Sequence, residues 1–79
     1  MKIYSVRDIN IGFNAPFVEI NDEVAKRGFA YAVNNTDMIA FRPSDFDLFC
    51  IGEFDKDKGM IFPYDLPVLV IHATECVSV

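Results

Sequence analysis

The chain has no tryptophan, one histidine, two cysteines, and seven lysines and arginines against twelve acids. Each shortage removes a class of function. The single His72 has no serine, cysteine or acid at a spacing that would build a nucleophile and its base, so no catalytic triad can be assembled. Cys50, Cys76 and His72 lack the paired-ligand spacing of a structural zinc site. Asp55-Lys56-Asp57-Lys58-Gly59 has the acids of a calcium loop but alternates them with lysines and has no later bidentate glutamate. With four glycines in all, there is no glycine-rich loop to cradle a phosphate. The chain therefore reads as a non-enzymatic protein without catalytic residues, metal or cofactor.

The shortage of cations leaves a formal charge of −5. That opposes a nucleic-acid binder that works by coating phosphates, because such proteins carry a basic face. Long apolar runs are missing too. The longest, Leu66 to Ala73, is interrupted by Pro67 and His72 and is far short of the ~20 residues that span a bilayer. No membrane association is expected. Met1 to Asp8 carries no apolar leader run, so reduced thiols in a cytosolic compartment are the expectation.

What the chain does have is apolar mass: 52% hydrophobic residues, including eight Phe and three Tyr, in 79 residues. That length makes one domain, 1–79, in which the tail 74–79 is the segment expected to be flexible. A domain this small cannot hide every ring, and a large exposed apolar patch usually marks an interface. A homo-oligomer is expected, most simply a two-fold dimer.

The best-defined stretch is Phe46 to Asp55. Phe46, Leu48, Cys50 and Phe54 share one parity, with Gly52 among them, and Phe49 and Ile51 alternate with Asp47 and Glu53 on the other. The polar run ending at Gly59 and the apolar Met60-Ile61-Phe62 complete a hairpin near 46–62. Lys2 to Asp8 reads as a first strand, and Ile9 to Phe17 as an irregular connection with an extended Ala15-Pro16-Phe17-Val18. A helix is expected from about Asp22 to Val33. Asn21 caps it, and Ala25, Phe29, Ala32 and Val33 form its inner stripe. Asp22–Lys26 and Glu23–Arg27 are placed to pair at i,i+4. Gly28 is expected to let the helix sit close on the sheet, and Asn34-Asn35 to end it in a left-handed turn. Met38-Ile39-Ala40-Phe41 reads as a short cover or a flap, Pro63 to Pro67 as irregular, and Val68 to Ala73 as a last strand. The class is α+β: a single small domain in β-α-β-β-β order, with a mainly antiparallel sheet and one helix packed on one face.

Candidate binding residues are few. Lys26 and Arg27 are adjacent on the helix, Tyr31 lies one turn from Arg27, Arg7 ends the first strand, and Arg42 precedes a turn. Cations beside a ring that can stack on bases are the means by which single strands are held. Against this, a helix face covered by its own ion pairs is the commoner use of such charges, and an aromatic in a small α+β domain is more often core than platform.

Ile3-Tyr4-Ser5-Val6-Arg7-Asp8, Ala15-Pro16-Phe17, Phe29-Ala30-Tyr31-Ala32-Val33-Asn34 and Pro43-Ser44-Asp45-Phe46-Asp47-Leu48-Phe49-Cys50-Ile51-Gly52-Glu53-Phe54-Asp55, in that order, resemble the small nonstructural, DNA-binding protein of gokushoviruses, single-stranded DNA phages of the Microviridae. The match runs from about Ile3 to Asp55 and is looser beyond. The resemblance implies a phage protein in the cytoplasm of the infected bacterium, acting in the switch from duplex replication to single-strand synthesis and packaging. It implies single-stranded DNA, or viral replication or capsid proteins, as partners, and brings no binding residues with it. The other reading is a protein-interaction module without nucleic-acid contact.

Overall fold

Alternation along Lys2 to Asp8 produces the first strand, β1 (Lys2–Asp8). The structure, a computed structural model, describes residues 1–78, so of the 74–79 tail Val79 lies outside the described residues. After β1 the chain turns at Ile9 to Ile11. Gly12, at a φ of 117°, a conformation that favours glycine, starts β2 (Gly12–Phe13). β3 (Phe17–Glu19) follows. Both lie antiparallel on the same edge of β1, β2 beside Arg7–Asp8 and β3 beside Lys2–Tyr4. The expected connection thus folds back as two strands too short to carry a period-2 signal.

The helix α1 (Asp22–Asn35) is capped by Asn21, whose Oδ1 accepts the Val24 N–H at 3.0 Å. Ala25, Phe29 and Val33 are its buried stripe, one turn apart. Its C-terminus differs from expectation. No non-glycine residue among those described has positive φ; instead an extended Thr36 donates its N–H to the Ala32 carbonyl at 2.9 Å. The Asn34 and Asn35 amides turn back onto the Ala30 and Tyr31 carbonyls. Asn34 also holds the C-terminal segment, donating to the Cys76 carbonyl and accepting the Ser78 N–H, both at 2.9 Å. Gly28 does not bring the helix closer to the sheet: it is exposed, with nothing within 4 Å of where a Cβ would stand. Nor do the i,i+4 pairs form. Asp22 leaves the helix surface to accept the Tyr4 hydroxyl at 2.6 Å and to meet Lys2 at 3.5 Å, and Lys26 turns to Glu23 at 3.6 Å.

A short helix, α2 (Asp37–Phe41), and a 3-10 turn at Pro43–Asp45 lead into β4 (Phe46–Asp55). Ile39 packs on the core while Met38 and Phe41 stay exposed. β4 and β5 (Met60–His72) form the hairpin, with Gly59 at a φ of 68° closing its loop. The expected order β-α-β-β-β is corrected at both ends. Two short strands precede the helix, and Met60–Phe62 and Val68–His72 belong to one long strand rather than two, with Ala73 already in the turn that follows. The irregular Pro63 to Pro67 stretch persists as a bulge in it. Gly52 pairs with Pro63 and Cys50 with Val68, so Tyr64 to Pro67 bow out opposite Ile51. Gly52 is required there: a Cβ would stand 2.7 Å from the Phe62 carbonyl oxygen. A 3-10 turn at Ala73–Glu75 follows β5.

The sheet runs β2-β1-β4-β5, all antiparallel, with β3 beside β1. Tyr4, Phe46, Leu48 and Cys50 pack under Ala25, Phe29 and Val33, with Ala73 closing the end. Each large apolar side chain fully buried here contributes roughly 1.5–3 kcal/mol. One parity assignment fails. The register with β1 also shifts, from Tyr4–Cys50 to Ile3–Gly52, and the shift turns β4 over. Glu53 now pairs with Lys2 and accepts the Tyr64 hydroxyl at 3.3 Å, and Phe54 leaves the face that carries Phe46, Leu48 and Cys50. The α+β arrangement, with one main helix on one face of an antiparallel sheet, stands.

Candidate functional site

The helix covers one face of the sheet and leaves the other bare of helix, although Ile3, Ser5 and Asp47 on that second face are buried. In β1 the side chains opposite to Tyr4 and Val6 are Ile3, Ser5 and Arg7; in β4 those opposite to Phe46, Leu48 and Cys50 are Asp47, Phe49 and Ile51. Cross-strand pairing arranges them in rows. Phe13, Arg7, Asp47 and His72 form one row across four strands, and Ser5, Phe49 and Leu69 the next.

Arg7 is the centre of the first row. Its Nη2 lies 3.4 Å from Asp47 Oδ2, and its guanidinium stands over the Phe49 ring, 5.2 Å from the centroid. Phe13 meets Phe49 edge to face at 5.4 Å. Asp47 is shared: its second carboxylate oxygen bonds His72 Nδ1. Asp47 is almost wholly buried by these two partners, while the Arg7 and His72 side chains stay 40% and 52% exposed. Arg7 Nε is buried without a hydrogen-bond partner among the described residues. Ser5, also buried, donates to the Asn14 carbonyl at 2.7 Å and ties the β2–β3 segment to this face. The surface that results is flat and aromatic, with a cation fixed against a ring and one carboxylate that cancels its charge. A guanidinium over a half-exposed ring is held by roughly 0.5–1 kcal/mol. The Arg7 side chain remains partly exposed, and Phe13 beside Phe49 is 48% exposed.

The five residues singled out from the sequence do not converge. Arg7 lies on the bare face. Lys26, Arg27 and Tyr31 are on α1, across the sheet from it; Lys26 is engaged by Glu23, and Tyr31 is 72% exposed. Arg42 precedes the turn that leads into the start of β4 and pairs with Asp45 at 3.8 Å. Phe13 and Phe49, which do meet Arg7, were missed. Phe13 sits in a segment without periodicity. Phe49 had a signal, since it shares parity with Asp47, and an aromatic alternating with acids points away from a core.

The model of the Phage ORF5 protein family matches residues 1–76. The chain belongs to that family. Protein ORF5 of Chlamydia phage 1, a gokushovirus, is 35% identical over 73 residues, covering 89% of this chain and 76% of the relative. No solved structure matches. This ORF5-family chain is thus a small Microviridae phage protein, as its motifs imply, and the matched span includes every residue of the bare face named above.

Other reactive groups of this ORF5-family protein are engaged locally. Cys50 and Cys76 are free thiols; burial, then the neighbouring Glu75, pushes the Cys76 thiol up, so that it is held in its neutral form. Among the described residues no group of three or more His, Cys, Asp or Glu is placed to hold a metal ion. A cleft of about 240 Å³ between α1 and β5 is lined by Lys2, Asp22, Cys50, Tyr64 and Val68. Burial, the Cys50 thiol and Glu53 push the Tyr64 phenol up to about 12, so it stays a neutral donor. The Tyr4 hydroxyl, and then Lys2, hold Asp22 below the usual carboxylate range despite partial burial.

Proposed function

We propose that this protein is a non-enzymatic phage protein that acts in synthesis or packaging of the viral single-stranded DNA. It binds the single strand, or the complex that makes it, in the cytoplasm of the infected bacterium. The observation that carries the reading is the Arg7–Phe49–Phe13 platform on the bare sheet face. Every base has a π surface, and stacking on an exposed ring contributes roughly 1–3 kcal/mol per base without requiring a basic protein. The mode reconciles binding with a net charge of −5: rings supply the affinity, and Arg7 supplies a phosphate or base-edge contact.

The mode has a quantitative signature. One cation contact gives a slope of about −0.7 in log affinity against log salt, whereas Arg7, Lys26, Arg27 and Arg42 acting together would give about −2.8. A fluorescence titration of a single-stranded oligonucleotide at several salt concentrations reads this directly. The expected result is weak binding with the shallow slope, lost in Phe49→Ala. Absence of binding at low salt rejects the reading.

A second reading, a protein-interaction module for phage or host proteins, is favoured by one observation: the exposed apolar side chains along β5 of an acidic chain. Capture of partners from infected cells, unchanged by nuclease treatment, would favour it over DNA contact.

A further inference from the structure

We propose that the outer rim of β5 is a two-fold interface with a second copy of this chain. The argument begins with position. The sheet ends at β5, and among the described residues no strand pairs with its outer edge. β5 is 13 residues long, while the strands on the opposite edge, β2 and β3, have two and three. A long uncovered edge offers unpaired backbone groups to another strand.

The side chains come next. Met60, Ile61, Phe62, Leu66, Val68 and Leu69 are 43–76% exposed on this one strand. Stable interfaces bury roughly 800 Å² per partner, about a seventh of this chain's 5402 Å². Alternation puts neighbours such as Val68 and Leu69 on opposite faces, so six large side chains, each exposing on the order of 100 Å², supply most of that to a contact that wraps both sides of the rim.

Charge selects the occupant. The chain carries −5 overall, yet between Met60 and Ile71 its only charged side chain is Asp65. An identical copy is repelled wherever acids are dense and can approach where they are sparse. Geometry agrees: an antiparallel strand is self-complementary about a two-fold axis normal to the sheet, which yields a closed dimer. Pro63 and Pro67 have no N–H, so they interrupt backbone pairing in the middle of this edge and limit it to the proline-free stretches on either side. The bulge carries Leu66 outward as a side-chain contact between those stretches.

Sedimentation of the full chain over a wide concentration range tests this. The wild type is expected to reach dimer mass, and Ile61→Lys/Leu66→Lys to stay monomeric with the same circular dichroism. Leu66→Lys alone, at the 76% exposed position, is expected to weaken association roughly tenfold or more, as loss of an apolar anchor does. It decides the matter if the double variant unfolds. A wild type that is monomeric throughout, or a dimer indifferent to Leu66→Lys, overturns the proposal. So does a dimer abolished by Phe13→Ala, which would put the contact on the bare face. None of these masses depends on whether DNA is bound.

Discussion

The two faces of the sheet use the same strands for different ends. Under α1, Tyr4, Leu48 and Phe29 are buried and satisfied; even the Tyr4 hydroxyl has a carboxylate to bond. On the other face, Phe49 is half-buried, Phe13 is 48% exposed, and the Arg7 guanidinium over Phe49 has a buried Nε without a hydrogen-bond partner among the described residues. A residue and its neighbour in β4 thus sit in different surroundings: Leu48 is buried under α1, and Phe49 is half-buried on the opposite face. An exposed aromatic face over a −5 chain is a liability unless something covers it.

Substitutions can break or sharpen that contrast. Leu48→Ala removes a fully buried side chain and is expected to cost about 3 kcal/mol in urea unfolding. Phe49→Ala, next along the strand, is expected to cost on the order of 1 kcal/mol in the same assay while abolishing oligonucleotide binding. Equal stability losses would erase the distinction between the faces. Gly52→Ala puts a methyl 2.7 Å from the Phe62 carbonyl oxygen in a backbone that cannot yield easily, and about 2 kcal/mol of stability should be lost. Gly28→Ala has open space around it on the outer side of α1. It should raise stability by about 1 kcal/mol, the helix-propensity difference, with binding unchanged.

The smallest effect is in pH. Asp22 ionises below the usual range because the folded state stabilises its carboxylate. That stability is complete above the ordinary carboxylate value and is lost as pH falls through the folded one. The group is 42% exposed, so solvent screening keeps the contribution under about 1 kcal/mol. Tyr4→Phe removes the first cause, and a carboxyl NMR titration should then find Asp22 moved back upward.

Local chemistry made much of this fold legible. β1, the capped helix with its Ala25-Phe29-Val33 stripe, and the hairpin closed at Gly59 follow from alternation, a cap and a positive φ. The remainder was set by contacts between distant segments. β2 and β3 exist because β1 offers them an edge. Asp22 chose Tyr4 and Lys2, which fold against it from β1, over a neighbour on its own helix. The bulge at Ile51 reversed the facing of everything after it; Gly52 inside an apolar strand, and the irregular Pro63 to Pro67 across from it, were its local marks. The site was hidden for the same reason. Arg7, Phe13 and Phe49 are brought together by pairing across three strands, whereas adjacency in sequence favoured Lys26 and Arg27, which lie on the other side of the sheet.

Amide chemical-shift mapping on the folded protein, with a single-stranded oligonucleotide added, tests most directly whether the bare face does the work. Shifts concentrated on Arg7, Phe13, Asp47, Phe49 and Leu69 are the predicted result. Shifts confined to the outer side of α1 around Arg27 and Tyr31, or none at saturating oligonucleotide, would contradict it.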